Sequence, residues 1–168
     1  DWGEGVGVLN RPTVVGFLKK PSNSMLYIID LDRVSSLAHK VGAWFSVDNV
    51  LATPILKGAL DLGADIVVYS STKHIDGQGR AMGGCILTND VDWSDGNLKQ
   101  FMRHTGPSLS PFNAWVHLKS METLEIRVWH QCQSAQKIAE FLERQKIIAK
   151  VLFPGIKSYP PYDLAKKQ

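Results

Sequence analysis

The fold turns on the stretch "DIVVYSSTKHIDGQGRAMGG", residues 65–84. Ile66, Val67, Val68 and Tyr69 form an apolar, mostly β-branched run that is too short for a helix and is bounded by polar residues, the pattern of a strand buried on both faces. Hydroxyls at Ser70, Ser71 and Thr72 follow, then Lys73, then a glycine-rich run. In a parallel α/β sheet, ligands gather at the carboxyl ends of the strands, which is where this lysine would stand.

The flanking sequence supplies the rest of such a sheet. "PTVVGFL" (12–18) and "GAWFSVD" (42–48) are further strand-like runs. Between them Leu31, Val34, Leu37, Ala38 and Val41 recur at helical spacing, with Asp30 as a cap and Gly42 as a stop. "TPILKGALDLG" predicts a short helix with Pro54 in its first turn, leading into the strand of the opening stretch. Two successive β-α-β units predict an α/β fold, a mostly parallel sheet with helices on both faces. "GGCILTND" predicts one more strand, antiparallel because too little chain precedes it for a crossover helix. Ser110 and Pro111 open a helical region running to about Gln145, with a break near Thr123, and "KVLFPGIKSYPPYD" reads as a strand entering a proline-rich connection.

With 168 residues, 44% of them hydrophobic and 21% charged, the chain has the size and composition of one ordinary globular domain. Its 19 basic and 16 acidic side chains leave a charge of only +3, which calls for neither nucleic acid nor an anionic membrane as partner. Nor does any stretch approach the roughly 20 apolar residues that span a bilayer. Cys85 and Cys132 form no C-x-x-C pair and the histidines lack metal-ligand spacing, so no metal site is expected. Free thiols and a cytoplasmic location are expected. The opening "DWGEGVGVLN" carries neither a methionine nor a leader pattern, and the chain is expected to begin within a longer sequence.

Asp48 ends one predicted strand and Ser70 to Lys73 end the next, so one crossover brings a carboxylate, hydroxyls and an amine to the same sheet edge. That set suits pyridoxal 5′-phosphate: the amine condenses with the aldehyde, the hydroxyls donate to the phosphate and the carboxylate pairs with the ring nitrogen. An unperturbed lysine is neutral only about 0.04% of the time at pH 7, so a reactive one needs a built environment. Taken singly, Lys73, Asp48 and Asn49 are ordinary turn residues; only their convergence argues for a site. The glycines of "GQGRAMGG" lack dinucleotide spacing, no G-K-[ST] follows a glycine loop, and no glycine elbow surrounds Ser70 or Ser71.

At these residues the chain resembles a known family. "DNVLATPILKGALDLGADIVVYSSTKHIDGQGRAMGG", "KKPSNSML" and "RHTGPSLSPFNAWVHLKSMETL" are similar to the pyridoxal-phosphate enzymes of methionine and cysteine metabolism, over about Pro12 to Gln168. Within that family "DGQG" with Arg80 and "RHTGPSLSPFNAW" most resemble the O-succinylhomoserine sulfhydrylases, with cystathionine γ-synthases and O-acetylhomoserine sulfhydrylases as near alternatives. The resemblance implies the large domain of fold-type I pyridoxal enzymes, incomplete here, over 1–145, and the start of a C-terminal small domain over 146–168. It implies Lys73 as the catalytic, cofactor-bonding lysine that moves protons at the substrate's Cα and Cβ. Asp48 would be the partner of the ring nitrogen, Ser70 and Thr72 would hold the phosphate, and Asn23 would lie near the ring oxygen. It further implies an acylated homoserine and sulfide as substrates and a homo-oligomer, a tetramer in the family, whose sites are completed by a neighbouring subunit.

The chain also departs from the pattern. Lys19 and Lys20 stand where the family has an acidic residue and a hydroxyl, Ser24 replaces a proline, and His74 replaces a commoner tyrosine. Nothing matches the family's N-terminal phosphate loop, its ring-stacking aromatic, or the C-terminal arginine that holds the substrate carboxylate. A non-catalytic fragment is therefore the competing expectation, and exposed strand edges predict association.

Overall fold

The computed structural model describes residues 12–23 and 25–168; the first eleven residues and the departure at Ser24 lie outside them. Strand β1 (Val15–Lys19) is followed by helix α1 (Leu31–Lys40), strand β2 (Trp44–Asp48), the short helix α2 (Thr53–Leu56), strand β3 (Ile66–Ser70) and strand β4 (Gly84–Leu87). The sheet order is β1-β2-β3-β4, parallel between β1, β2 and β3 and antiparallel between β3 and β4. The expected crossovers and the antiparallel last strand are therefore present. Asp30 caps α1 by accepting from the Arg33 N–H at 3.1 Å, and Gly42 leaves the helix at φ +73°, a conformation that L side chains rarely adopt.

Side chains alternate across a sheet, so its two faces can be read from register. One face carries Phe45, Val47, Val67 and Tyr69, which form the main core with Leu31 and Ala38 of α1. Two longer helices follow, α5 (Pro111–Met121) and α6 (Leu124–Glu143), and α6 closes that core with Leu124 and Val128. Each such side chain, once buried, stabilises the fold by roughly 1.5 to 3 kcal/mol. The helices break at Thr123, as the sequence predicts.

The opposite face carries Trp44, Ser46 and Asp48, in register with Val15, Phe17 and Lys19 on one side, and Val68 opposite Asp48 on the other. Its helical cover is thinner. Helix α3 (Val91–Trp93) sets the Trp93 ring 5.1 Å from that of Trp44 on this side, and a π-helical turn and α4 (Lys99–Thr105) follow it in the chain. Val15 and Phe17 remain 50% and 59% exposed.

One expectation is corrected. "KVLFPGIKSYPPYD" forms no strand, because it docks at neither sheet edge and so has no backbone ladder to join. It packs instead through a second cluster of Ala139, Ile156 and Tyr159 with Ile28 and Phe153. The Tyr159 hydroxyl donates to the Leu26 carbonyl at 2.7 Å and accepts from the Ile28 N–H at 3.1 Å, and the short helix α7 (Tyr162–Lys167) follows. Among the described residues no helix is long and apolar enough to cross a membrane, no acidic, histidine or cysteine cluster could hold a metal, and Cys85 and Cys132 are free thiols.

Candidate cofactor site

The carboxyl ends of β1, β2 and β3 form one edge of the sheet. Asp48 closes β2 with one carboxylate oxygen, Oδ1, accepting from the Val50 N–H at 3.0 Å. Asn49, fully buried, anchors the turn behind it: its Nδ2 lies 3.2 Å from the Thr53 carbonyl, 2.9 Å from that of Lys57 and 2.8 Å from the Tyr69 hydroxyl. Thr53 sits at φ +59°, a strained position for a β-branched residue, and the Asn49 contact to its carbonyl helps to hold it there.

Ser70 ends β3 on the same sheet face as Asp48, because Asp48 is in register with Val68, two residues earlier. Its hydroxyl makes no hydrogen bond among the described residues. Thr72 follows, its Oγ1 accepting from the Gly83 N–H at 3.0 Å and donating to the Gly83 carbonyl at 3.3 Å. The first contact fixes the oxygen, and the longer second one leaves a proton that could be donated elsewhere. Lys73 is exposed and carries no ion pair among the described residues. Asn23 is exposed in the turn that leaves β1, where Leu26 N–H donates to the Ser22 carbonyl at 3.0 Å.

Several residues that hold Lys73 in place were not legible as site residues. Asp76 is fully buried and accepts at Oδ2 from the Arg80 N–H at 2.7 Å and the Gln78 N–H at 3.3 Å, and at Oδ1 from Arg80 Nε at 3.2 Å. Those contacts, the Arg80 N–H foremost, hold its carboxyl below the usual range. The glycine run thus wraps a side-chain carboxylate of its own loop. Arg127 of α6 donates to the carbonyls of His74, Ile75 and Ser120 at 2.8, 3.1 and 2.9 Å, and Arg80 reaches the Ser120 hydroxyl at 2.7 Å. At Gly77, with φ +70°, a Cβ would stand 2.0 Å from the Arg127 guanidinium, so only glycine fits without displacing it. Buried Ser71 lies 3.3 Å from His117 Nε2, fixing the chain just before Thr72. The one signal available in sequence was an aspartate preceding G-x-G.

The lysines at the departures have distinct environments. Lys19 Nζ lies 3.2 Å from Asp48 Oδ2 and stays partly exposed. Lys20 is 9% exposed and Lys57 5%; burial pushes both ammonium groups down, and for Lys57 the nearby charge of Lys20 adds to it.

The donor set fits pyridoxal 5′-phosphate. It requires an amine, hydroxyl donors and a carboxylate at one edge, and Lys73, Ser70 and Asp48 supply them, with the amine and the Ser70 hydroxyl unengaged among the described residues. The misfit is confined to Oδ2 of Asp48, which Lys19 occupies.

Comparison with known proteins agrees. The chain is 52% identical to an O-succinylhomoserine sulfhydrylase of Mycobacterium tuberculosis over 95% of its own length and 39% of the relative's. It is 40% identical to an L-methionine gamma-lyase of Porphyromonas gingivalis, covering 98% of this chain and 42% of that one. The crystal structure of cystathionine gamma synthase from Xanthomonas oryzae pv. oryzae in complex with cystathionine superposes with a TM-score of 0.93 at 35% identity, over 100% of this chain and 43% of that one. The chain thus spans about two fifths of the length of the relatives it matches. With the profile of the Cys/Met metabolism PLP-dependent enzymes matching residues 6–168, the chain belongs to that family of trans-sulfuration enzymes.

Proposed function

We propose that this chain carries the cofactor-bearing core of an enzyme that replaces the acyloxy group of O-succinylhomoserine with sulfide, releasing succinate and forming homocysteine. The observation that carries the reading is the exposed Lys73 on a loop over-determined by Asp76, Arg80 and Arg127, beside Asp48 and Ser70 at one sheet edge. The 52% identity to an O-succinylhomoserine sulfhydrylase supports this choice over the lyase and cystathionine-forming alternatives.

In this reading the bound cofactor supplies the electron sink. Lys73 Nζ would hold it covalently between turnovers and, once released, would move protons at Cα and Cβ of the substrate, giving up the first before it takes the second. Ser70 and Thr72 donate to the phosphate, each charge-assisted bond worth roughly 1.5 to 3 kcal/mol. Asp48 holds the proton on the ring nitrogen, and Asn23 lies toward the ring oxygen. The wider proposal places residues 1–145 in a large cofactor domain and 146–168 at the start of a small one, within a cytoplasmic homo-oligomer. Exposed Val15 and Phe17 support association.

The test is a product assay on the native protein that contains these residues, with O-succinylhomoserine plus sulfide, O-succinylhomoserine plus cysteine, O-acetylhomoserine plus sulfide, and methionine alone. Sulfide-dependent succinate release that falls at least about 100-fold in Lys73→Ala is expected. Release that survives Lys73→Ala would overturn the reading. Faster turnover of cysteine, of the acetyl ester or of methionine would reassign the substrate, and no turnover at all would favour a non-catalytic role.

A further inference from the structure

The lysine at the end of β1 bears directly on Asp48. Lys19 and Asp48 are register partners at the ends of adjacent parallel strands, so their side chains leave the sheet on the same face. Lys19 Nζ stands 3.2 Å from Oδ2, while Oδ1 is taken by the Val50 N–H at 3.0 Å. The main chain locks the same juncture, with Lys20 N–H donating to the Asp48 carbonyl at 3.1 Å. Both oxygens of the carboxylate are therefore engaged, and the partner of one of them is a full positive charge.

We infer that Lys19 is a positioning residue that competes with the ring nitrogen of the cofactor for Asp48, and so limits how tightly the site holds a protonated pyridine. This rests on the cofactor reading above. Two cations sharing one carboxylate each receive less of it, and they repel one another. The Lys19 side chain is 43% exposed and the Asp48 side chain 16%. The ammonium can thus turn partly to solvent when a ring arrives, which makes the competition graded and leaves binding possible.

The experiment measures equilibrium dissociation constants of the native protein and of its Lys19→Met and Lys19→Arg variants. The ligands are pyridoxal 5′-phosphate and its 1-deaza analogue, which keeps the aldehyde and phosphate but has carbon in place of the ring nitrogen. Each complex is then reduced with borohydride and the labelled peptide mapped. The expected result is that Lys19→Met tightens binding of the pyridine ligand about tenfold, equivalent to one pKa unit of interaction, and leaves the deaza ligand unchanged. Lys19→Arg, which keeps the charge, should match the parent and shows that the site tolerates substitution. An unchanged or weaker affinity for the pyridine ligand in Lys19→Met, or an equal change for both ligands, would overturn the inference while label on Lys73 left the cofactor reading standing. Absence of label on Lys73 in the parent would overturn both.

Discussion

Two parts of the same sheet edge are built on opposite electrostatic plans. In the loop after β3, charge is satisfied locally: Asp76 is buried with two backbone N–H groups and an arginine around it, and Arg127 spends its guanidinium on three carbonyls. At the ends of β1 and β2, positive charge accumulates. Lys19 faces Asp48, while Lys20 and Lys57 are buried with no carboxylate partner among the described residues. The first plan rigidifies the lysine proposed to bond the cofactor. The second costs stability and concentrates cations beside the carboxylate proposed to pair with the cofactor's ring, as expected where function outweighs packing.

The contrast can be broken first at Asp76. Asp76→Asn strips the arginine of its charge partner and makes one acceptor a donor, and the melting temperature should fall on the order of 10 °C. The carboxyl is held below its usual range in the folded chain. Its contribution is therefore complete above the unfolded pKa of about 3.9 and is lost as pH falls through the folded value. Thermal unfolding across the acid range should lose that component in the variant; an unchanged acid profile would mean that the loop does not depend on this charge.

Arg127→Met comes next, because it leaves three carbonyls short of a donor and should cost about 2 to 3 kcal/mol in urea unfolding. Hydrogen exchange should show the loss concentrated in residues 74–80. Uniform loss across the sheet would argue that Arg127 supports the fold in general and has no special hold on the Lys73 loop.

The smallest effect is a gain. Lys57→Met removes a buried ammonium and should add about 1 kcal/mol near pH 7. Since burial lowers the folded pKa of Lys57, its own contribution is fully present only above the unfolded value of about 10.4 and is lost as pH falls through the folded one. The gain should therefore shrink as pH rises toward 10.4. A destabilised variant at neutral pH would show that the packing of the Lys57 side chain outweighs the desolvation of its charge.

Much of the fold was legible. β1, β2 and β3 fall within a few residues of the apolar runs that announce them, Asp30 caps α1, β4 pairs antiparallel and the last long helices part at Thr123. Each of these depends on periodicity, capping or the length of a connection, which neighbouring residues settle among themselves. The tail failed for the same reason in reverse. Val151 to Phe153 have strand composition, but a strand needs a partner edge, and whether one is free is decided elsewhere in the chain.

The site divides along the same line. That a carboxylate, hydroxyls and a lysine end adjacent strands could be read along the chain, since alternation and a single crossover suffice to bring them together. What each of them faces depended on how distant segments pack. Lys19 reaches Asp48 across 29 positions of chain because β1 and β2 lie in register, and Arg127 reaches His74 across 53 because α6 packs behind the loop. Charges and hydrogen-bond donors act over a few ångströms of space whatever their separation along the chain, so the balance of charge at Asp48 became visible only once the strands were paired.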